Sequence, residues 1–470
     1  MKPDYDLVVV GLGSAGIVAA EFAADLGLRV AAVEASRIGG DCLWTGCVPS
    51  KALLASARVA HHMRTANRYG IAPVEPDVDL VAVWQRIRTI QQEIAMTDDS
   101  PEHFRELGVE LIFGRARLAG RTTVEVGDRR LETRYTLIAT GSRPAVPELE
   151  GLADAGFVTS ETIFELERPP RSVVVLGGGP IGVELAQGCR RLGISVTLLQ
   201  RGARLLPRDE PELTSIVEQV LGDEGVDVRP GANVRSVSTG TGRKIVHAEI
   251  GGREDWFEAE EILVAAGRTP NLDGLGLAQL GIETTPRGVT VDPRLRTSVA
   301  SIYAVGDVAG RYLFTHNAAH EAAIAVRDMF FPGSGKPADL VPWCTFTDPE
   351  LASVGLTAAA AQERNGTQAT RVWRRELARS DRARADGAVE GVIMLVTAKD
   401  KLVGAHVLAP GAGELIQELA LAIRSGTRLR DLAGLVHVYP TMATAVQQLA
   451  GEAAYEYGRR WGRRLRVGRR

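Results

Sequence analysis

An α/β chain is predicted, made of two repeated parallel strand-helix-strand units with a smaller α+β unit behind them. Three observations carry this prediction. The first is an internal repeat: Asp6-Leu-Val-Val-Val-Gly-Leu-Gly-Ser-Ala-Gly16 returns as Ser172-Val-Val-Val-Leu-Gly-Gly-Gly-Pro-Ile-Gly182, and the match runs on through Leu26-Gly27 and Leu192-Gly193 to Val30 and Val196. The second is a shorter echo, Leu137-Ile-Ala-Thr-Gly-Ser-Arg-Pro144 against Leu263-Val-Ala-Ala-Gly-Arg-Thr-Pro270. The third is composition: 51 of 470 residues are glycine, about 11% against roughly 7% in average usage, so many positions need backbone without a side chain.

Each long repeat is a β-branched run, a G-x-G-x-x-G turn, an amphipathic helix and a second apolar run, the pattern of a Rossmann-like β-α-β unit. Gly11 and Gly177 serve the tight turn, Gly13 and Gly179 the approach of backbone to a pyrophosphate, and Gly16 and Gly182 the packing of helix on strand. Ser14-Ala15 and Pro180-Ile181 open the helices, whose amino-terminal ends favour phosphate. Two dinucleotide sites are therefore expected. Glu34 ends the second strand of the first unit, where a carboxylate accepts from ribose hydroxyls and repels a 2′-phosphate. Its counterpart is the neutral Gln200, followed by Arg201 and Arg204, which either pair with a 2′-phosphate or are solvated loop charges. This selects FAD or NAD at the first site and NADPH over NADH at the second. The short echoes, with Thr140, Gly141 and Gly267, read as buried strands ending in Gly/Pro turns. The expected domains are 1–150, 151–275 inserted before the first is completed by 276–340, and 341–470. The last has strands near Thr345–Val354, Gly391–Thr397 and Leu402–Leu408 and a helix at Gly413–Ser425.

Bulk properties exclude other classes. With 55 basic and 58 acidic residues the formal charge is −3, which gives no field of one sign for nucleic acid or an anionic membrane. Hydrophobic residues make up 45%, enough for a large core and against disorder. Four cysteines are too few for a secreted disulfide scaffold. Acids directly precede the first apolar run, unlike a signal peptide, and Leu7 to Ala20 is broken by glycines and shorter than the roughly 20 residues of a membrane span. A soluble, cytoplasmic protein is expected.

The chemistry is concentrated in Gly39-Gly-Asp-Cys42-Leu-Trp-Thr-Gly-Cys47-Val-Pro-Ser-Lys51. Two cysteines five apart at a helix start can meet only if the backbone leaves ideal helix geometry, which Gly46 and Pro49 favour. A helix start lowers a thiol pKa, and Lys51 falls on the helical face of Cys47. Zinc would need two further ligands at matching spacing, so no metal site is expected. This segment resembles the G-G-x-C-x4-C-x-P-x-K signature of the pyridine nucleotide-disulfide oxidoreductases, the group of glutathione reductase, dihydrolipoamide dehydrogenase and mercuric reductase. Gly39, Gly40, Cys42, Cys47, Pro49 and Lys51 match it, as do Tyr303-Ala-Val-Gly306-Asp307 for FAD and Thr345-Phe-Thr-Asp-Pro-Glu-Leu-Ala-Ser-Val-Gly355 for the opening of an interface domain.

The resemblance covers nearly the whole chain. It implies FAD and NAD(P) domains and a carboxyl-terminal dimerisation domain in a homodimer, with FAD also held by residues around Gly40, Asp41, Gly306 and Asp307. It also implies a redox-active Cys42–Cys47 disulfide, with Cys47 facing the flavin, Cys42 meeting the substrate, and Lys51 paired with Glu184 near the flavin. The pattern departs where the family's disulfide reductases carry His-Pro-x-x-x-Glu: here Tyr439 replaces the histidine and Thr444 the glutamate. A phenol of pKa about 10 is a poor base at pH 7, so turnover of lipoamide or glutathione disulfide is not expected to be efficient. Mercuric reductases carry tyrosine there, and Ala409-Pro-Gly-Ala-Gly-Glu-Leu-Ile-Gln417 also resembles them. Their amino-terminal metal-binding domain and carboxyl-terminal cysteine pair are not in this sequence, which closes on Val467-Gly-Arg-Arg470, so the usual relay for mercuric ion is expected to be missing.

The expected activity is transfer of electrons from NADPH through FAD to a soft metal ion or a disulfide. The alternatives are a quinone or dye reductase using the flavin directly, a dihydrolipoamide dehydrogenase, and a non-catalytic redox-sensing subunit. His437 is either a substitute base or a hydrogen-bonded structural histidine. Cys189 and Cys344 read as small buried residues, His61-His62 as a partly exposed helix pair, and the arginine-rich end from Arg459 as a solvated terminus.

Overall fold

The computed structural model describes residues 3–331, 333, 336–337 and 339–467, with the side chains of 457 and 460–467 outside the description. The chain divides into two compact units, Met1–Leu53 with Asp79–Pro170 and Glu261–Asp339, and Leu54–Val78 with Arg171–Glu260 and Leu340–Arg470.

In the first unit, strand Tyr5–Val10 is central because Leu7 to Val10 are apolar on both faces and fully covered. It pairs in parallel with Val30–Glu34 on one side and Arg129–Ile138 on the other; Glu110–Phe113 and Ile302–Ala304 extend the parallel sheet outward. The far part of Arg129–Ile138 leaves this sheet to form an antiparallel meander with Thr123–Val126 and Ala116–Gly120. Helices Ser14–Asp25 and Thr315–Phe330 present the alanines that pack against the central strands. Helix Leu80–Ala95 begins at Asp79, whose carboxylate accepts from the Ala82 N–H, and buries Trp84, whose indole N–H donates to the Ile163 carbonyl at 2.8 Å.

The second unit repeats the first motif: strand Ser172–Leu176, helix Pro180–Arg191, strand Ser195–Gln200, helix Pro211–Asp223 and strand Asp227–Pro230, all strands parallel. A three-stranded antiparallel ribbon follows, Asn233–Gly240, Arg243–Ile250 and Arg253–Ala259. The carboxyl-terminal part is a five-stranded antiparallel sheet in the order Trp343–Thr345, Glu350–Gly355, Lys401–Ala409, Val392–Ala398, Thr370–Glu376. The expected strand Thr345–Val354 is two, separated by the turn at the cis Asp348-Pro349 bond. Edge strand Thr370–Glu376 was not expected. Helix Ala412–Arg424 covers the sheet, and a second helix, Met442–Val467, runs into the arginine-rich end. That end lies outside the described residues from 468 on. Among the described residues no helix is long and apolar enough to cross a membrane.

Candidate functional site

The two glycine turns build the same local structure. Gly11 has φ +98°, and a Cβ there would stand 2.5 Å from the Ala139 carbonyl oxygen; a Cβ on Gly16 or on Gly182 would collide with the carbonyl of Gly11 or Gly177. Neither helix start has a side-chain cap: Gly13 and Gly179 hold the N-cap positions, with Ser14, Ala15 and Gly16 or Pro180, Ile181 and Gly182 in the first turn. Each second strand closes its turn alike. Glu34 Oε2 accepts from the Leu12 N–H at 2.7 Å and its Oε1 from Ser36 N–H at 2.7 Å; Gln200 Oε1 accepts from the Gly178 N–H at 3.0 Å. Each acceptor oxygen keeps a further lone pair for a ribose hydroxyl. These uncapped helix starts and crowded glycines fit two dinucleotides. Arg201 is exposed, whereas Arg204 donates to the carbonyls of Pro207 and Asp209 and so braces its own loop, not a ligand.

The redox segment packs directly on the first turn, since a Cβ on Gly40 would stand 2.7 Å from Gly13 Cα. Helix Gly40–Trp44 stops at Thr45, and a new helix, Cys47–Arg64, starts two residues later. The break at Thr45-Gly46 lets Cys42 and Cys47 meet; Pro49 lies in the first turn of the second helix, where proline is tolerated, and breaks nothing. The two are unlinked thiols here, hydrogen-bonded to each other. That bond lowers the pKa of Cys47 to about 6, helped by the Thr315 hydroxyl at 3.4 Å and the Lys51 charge against the effect of burial. The same bond, with burial, pushes Cys42 far up, and the Thr315 and Ser14 hydroxyls oppose it. These opposite shifts favour Cys47 over Cys42 as the ionised sulfur. Lys51 also donates to Ser50 Oγ at 3.4 Å.

The echoed segments meet each other: Ser142–Pro144 pairs antiparallel with Arg268–Pro270, and Thr140 and Asn271 exchange hydrogen bonds of 2.8 and 2.9 Å. Gly141 at φ +67° and Gly267 at φ +134° form the bends before the two strands. Gly306 N–H donates to the buried Glu321 at 2.9 Å, and Asp307, raised in pKa by burial, accepts from Ser142 Oγ. Asp41 turns to Arg268 and Thr45. Sequence reasoning missed Thr315, Ser142 and Arg268; the second echo contained the last two and so marked their segment, while Thr315 had no motif.

In the second unit Glu184 is buried at 5% exposure and accepts from the Phe346 N–H at 2.9 Å. Lys51 and Glu184 belong to different units. Tyr439 precedes a cis proline bond, is exposed, and donates to Asp381 at 3.1 Å, which raises its pKa above the ordinary phenol value. Thr444 bonds within the start of the last helix, to Thr441 and the Val438 carbonyl. Both His437 ring nitrogens are engaged, by Glu418 at 2.9 Å and the Leu435 carbonyl at 3.1 Å, as in a hydrogen-bonded structural histidine. Cys189 is buried, with its pKa pushed up to about 12 by burial; Cys344 is half-buried. His61 is half-buried and lowered to about 4 by burial, while His62 is exposed.

This fold and thiol site define a flavoprotein oxidoreductase class, and comparison with known proteins places the chain within it. A pyridine nucleotide-disulphide oxidoreductase model matches residues 5–322, and the family's dimerisation-domain model matches 341–450. The chain belongs to this family and is an oxidoreductase; members carry FAD and use NAD(P)H. A mercuric reductase of Streptomyces lividans is 36% identical over 458 residues, covering 95% of each chain. A dihydrolipoyl dehydrogenase of Chlorobaculum tepidum is 35% identical over 475 residues, 97% of this chain and 99% of that one. Among solved structures, a Cu(II) complex of the HOCl-induced flavoprotein disulfide reductase RclA from Escherichia coli matches with a TM-score of 0.85 and 26% identity, over 96% of this chain and 99% of that one.

Proposed function

We propose that the chain passes electrons from NADPH through the Cys42–Cys47 pair to a soft metal ion, with low-molecular-weight disulfides as poorer acceptors. The hydrogen-bonded thiol pair, with Cys47 held as thiolate, carries this reading. Gly11 to Gly16, Glu34, Gly40, Gly141, Gly306 and Asp307 would hold FAD, and Gly177 to Gly182, Gln200 and Arg201 would hold NADPH. Bound FAD supplies a two-electron relay between the hydride donor and the disulfide. Lys51 and Thr315 keep Cys47 ionised, and Ser14 and Thr315 hold Cys42 beside it.

The acceptor follows from proton demand. When Cys42 attacks a disulfide, a bond from Cys42 to one substrate sulfur forms as the substrate's sulfur–sulfur bond breaks. The proton Cys42 loses must be carried to the leaving thiolate, a transfer that Tyr439, its pKa raised by Asp381, serves poorly. Two sulfur donors binding a soft cation need no such acid. Similarity to mercuric reductases and to a protein with a Cu(II) complex supports the metal reading. Gln200 and Arg201 support NADPH over NADH, and the dimerisation domain supports a homodimer. A steady-state panel tests this, with NADPH and NADH each against mercuric ion, cupric ion, lipoamide, glutathione disulfide and a quinone. Metal-ion reduction with NADPH is expected to exceed disulfide reduction in kcat/KM by on the order of 100-fold, the size of a missing general acid. Equal or better turnover of lipoamide contradicts the proposal.

A further inference from the structure

Arg268 gathers several separate parts of the first unit. Its side chain is 11% exposed, and its Nη2 reaches Asp41 Oδ2 at 3.1 Å and donates to the Ser142 carbonyl at 3.0 Å. Its Nε donates to Ser142 Oγ at 2.7 Å and lies 3.5 Å from Asp307 Oδ2, while Ser142 Oγ donates to that same carboxylate oxygen. Asp41 in turn holds the break between the two cysteines. Its Oδ1 accepts from the Thr45 hydroxyl, its carbonyl accepts from Thr45 N–H at 2.9 Å, and Gly46 lies so close that a Cβ would stand 3.0 Å from that carbonyl.

We propose that Arg268 is a positioning residue for the thiol pair: it holds Asp41, and through Asp41 the Thr45-Gly46 turn, in register with Ser142 and Asp307. This rests on Cys42 and Cys47 being the redox pair. The residue before Cys42 is Asp41, which brings a negative charge toward Cys47. The charges acting on Cys47 are Lys51, which favours its thiolate, and Asp41, which opposes it. Asp41 pairs with Arg268, which compensates its charge, while Asp307 and Glu161 also face it. A planar fork spans Asp41 and Asp307 together, which a lysine ammonium does not.

The test uses the holoenzyme reduced by two electrons without air, titrating with pH the long-wavelength absorbance that the Cys47 thiolate gives beside oxidised flavin. Arg268→Met is expected to raise the midpoint by on the order of one unit, because Asp41 is left uncompensated. Asp41→Asn alone is expected to lower it, and the double variant to return close to the wild-type midpoint. Arg268→Lys falls between Arg268→Met and wild type. An unmoved midpoint in Arg268→Met, or a double variant no nearer to wild type, overturns the proposal. Should Arg268→Met fail to fold, Asp41→Asn decides alone, a downward shift supporting the proposal and an unmoved midpoint ending it. A wild-type enzyme without any titrating band overturns the thiol-pair reading as well, which distinguishes the two failures.

Discussion

The chemistry of this chain is set by which of two neighbouring sulfurs keeps its proton. The hydrogen bond from Cys42 is the largest cause lowering the pKa of Cys47, to about 6. Removing the donor removes the largest cause of that lowering. In the Cys42→Ala holoenzyme, the pH midpoint of the Cys47 thiolate absorbance is therefore expected to rise from about 6 toward the roughly 8.5 of an ordinary thiol. A midpoint that stays near 6 would assign the lowering to Thr315 and Lys51 alone. At this scale the sequence was legible where a motif spells out the residue types, as with Cys42, Cys47 and Lys51. It was opaque where a long-range partner does the tuning. Thr315 lies 268 positions from Cys47, and no local pattern announces a hydroxyl that meets a thiol across that separation.

The repeated turns were the most legible elements, because their glycines answer to sterics within a few residues. A methyl on Gly16 must displace the Gly11 carbonyl, and one on Gly182 the Gly177 carbonyl. The two substitutions separate the sites. Gly16→Ala is expected to purify with most of its FAD lost, read from the ratio of flavin to protein absorbance. Gly182→Ala is expected to keep its FAD while flavin reduction needs at least tenfold more NADPH, and loss of FAD there instead would contradict the assignment of the two turns. The carboxyl-terminal sheet was less legible. Its Thr370–Glu376 strand lies at an edge, where Val372, Arg374 and Glu376 are exposed and Arg371, Trp373 and Arg375 take the other face, so its pattern lacks an apolar side and resembles a charged loop. The turn at Asp348-Pro349 divides a run that reads as continuous.

For the whole molecule, one β-α-β unit recurs, and its turns hold part of the glycine excess. In the proposed function, Tyr439 and Thr444 in place of an acid-base pair narrow the acceptors. His437, two residues from Tyr439, has its ring nitrogens engaged by Glu418 and the Leu435 carbonyl. The central claim is that electrons reach the acceptor through Cys42 and Cys47. Its most direct test is anaerobic addition of one equivalent of NADPH to the oxidised holoenzyme, followed by a thiol count and an absorption spectrum. Two new titratable thiols and a long-wavelength band are predicted, both lost in Cys47→Ser. Reduction without new thiols, or a Cys47→Ser enzyme with the wild-type spectrum and turnover, would contradict the account.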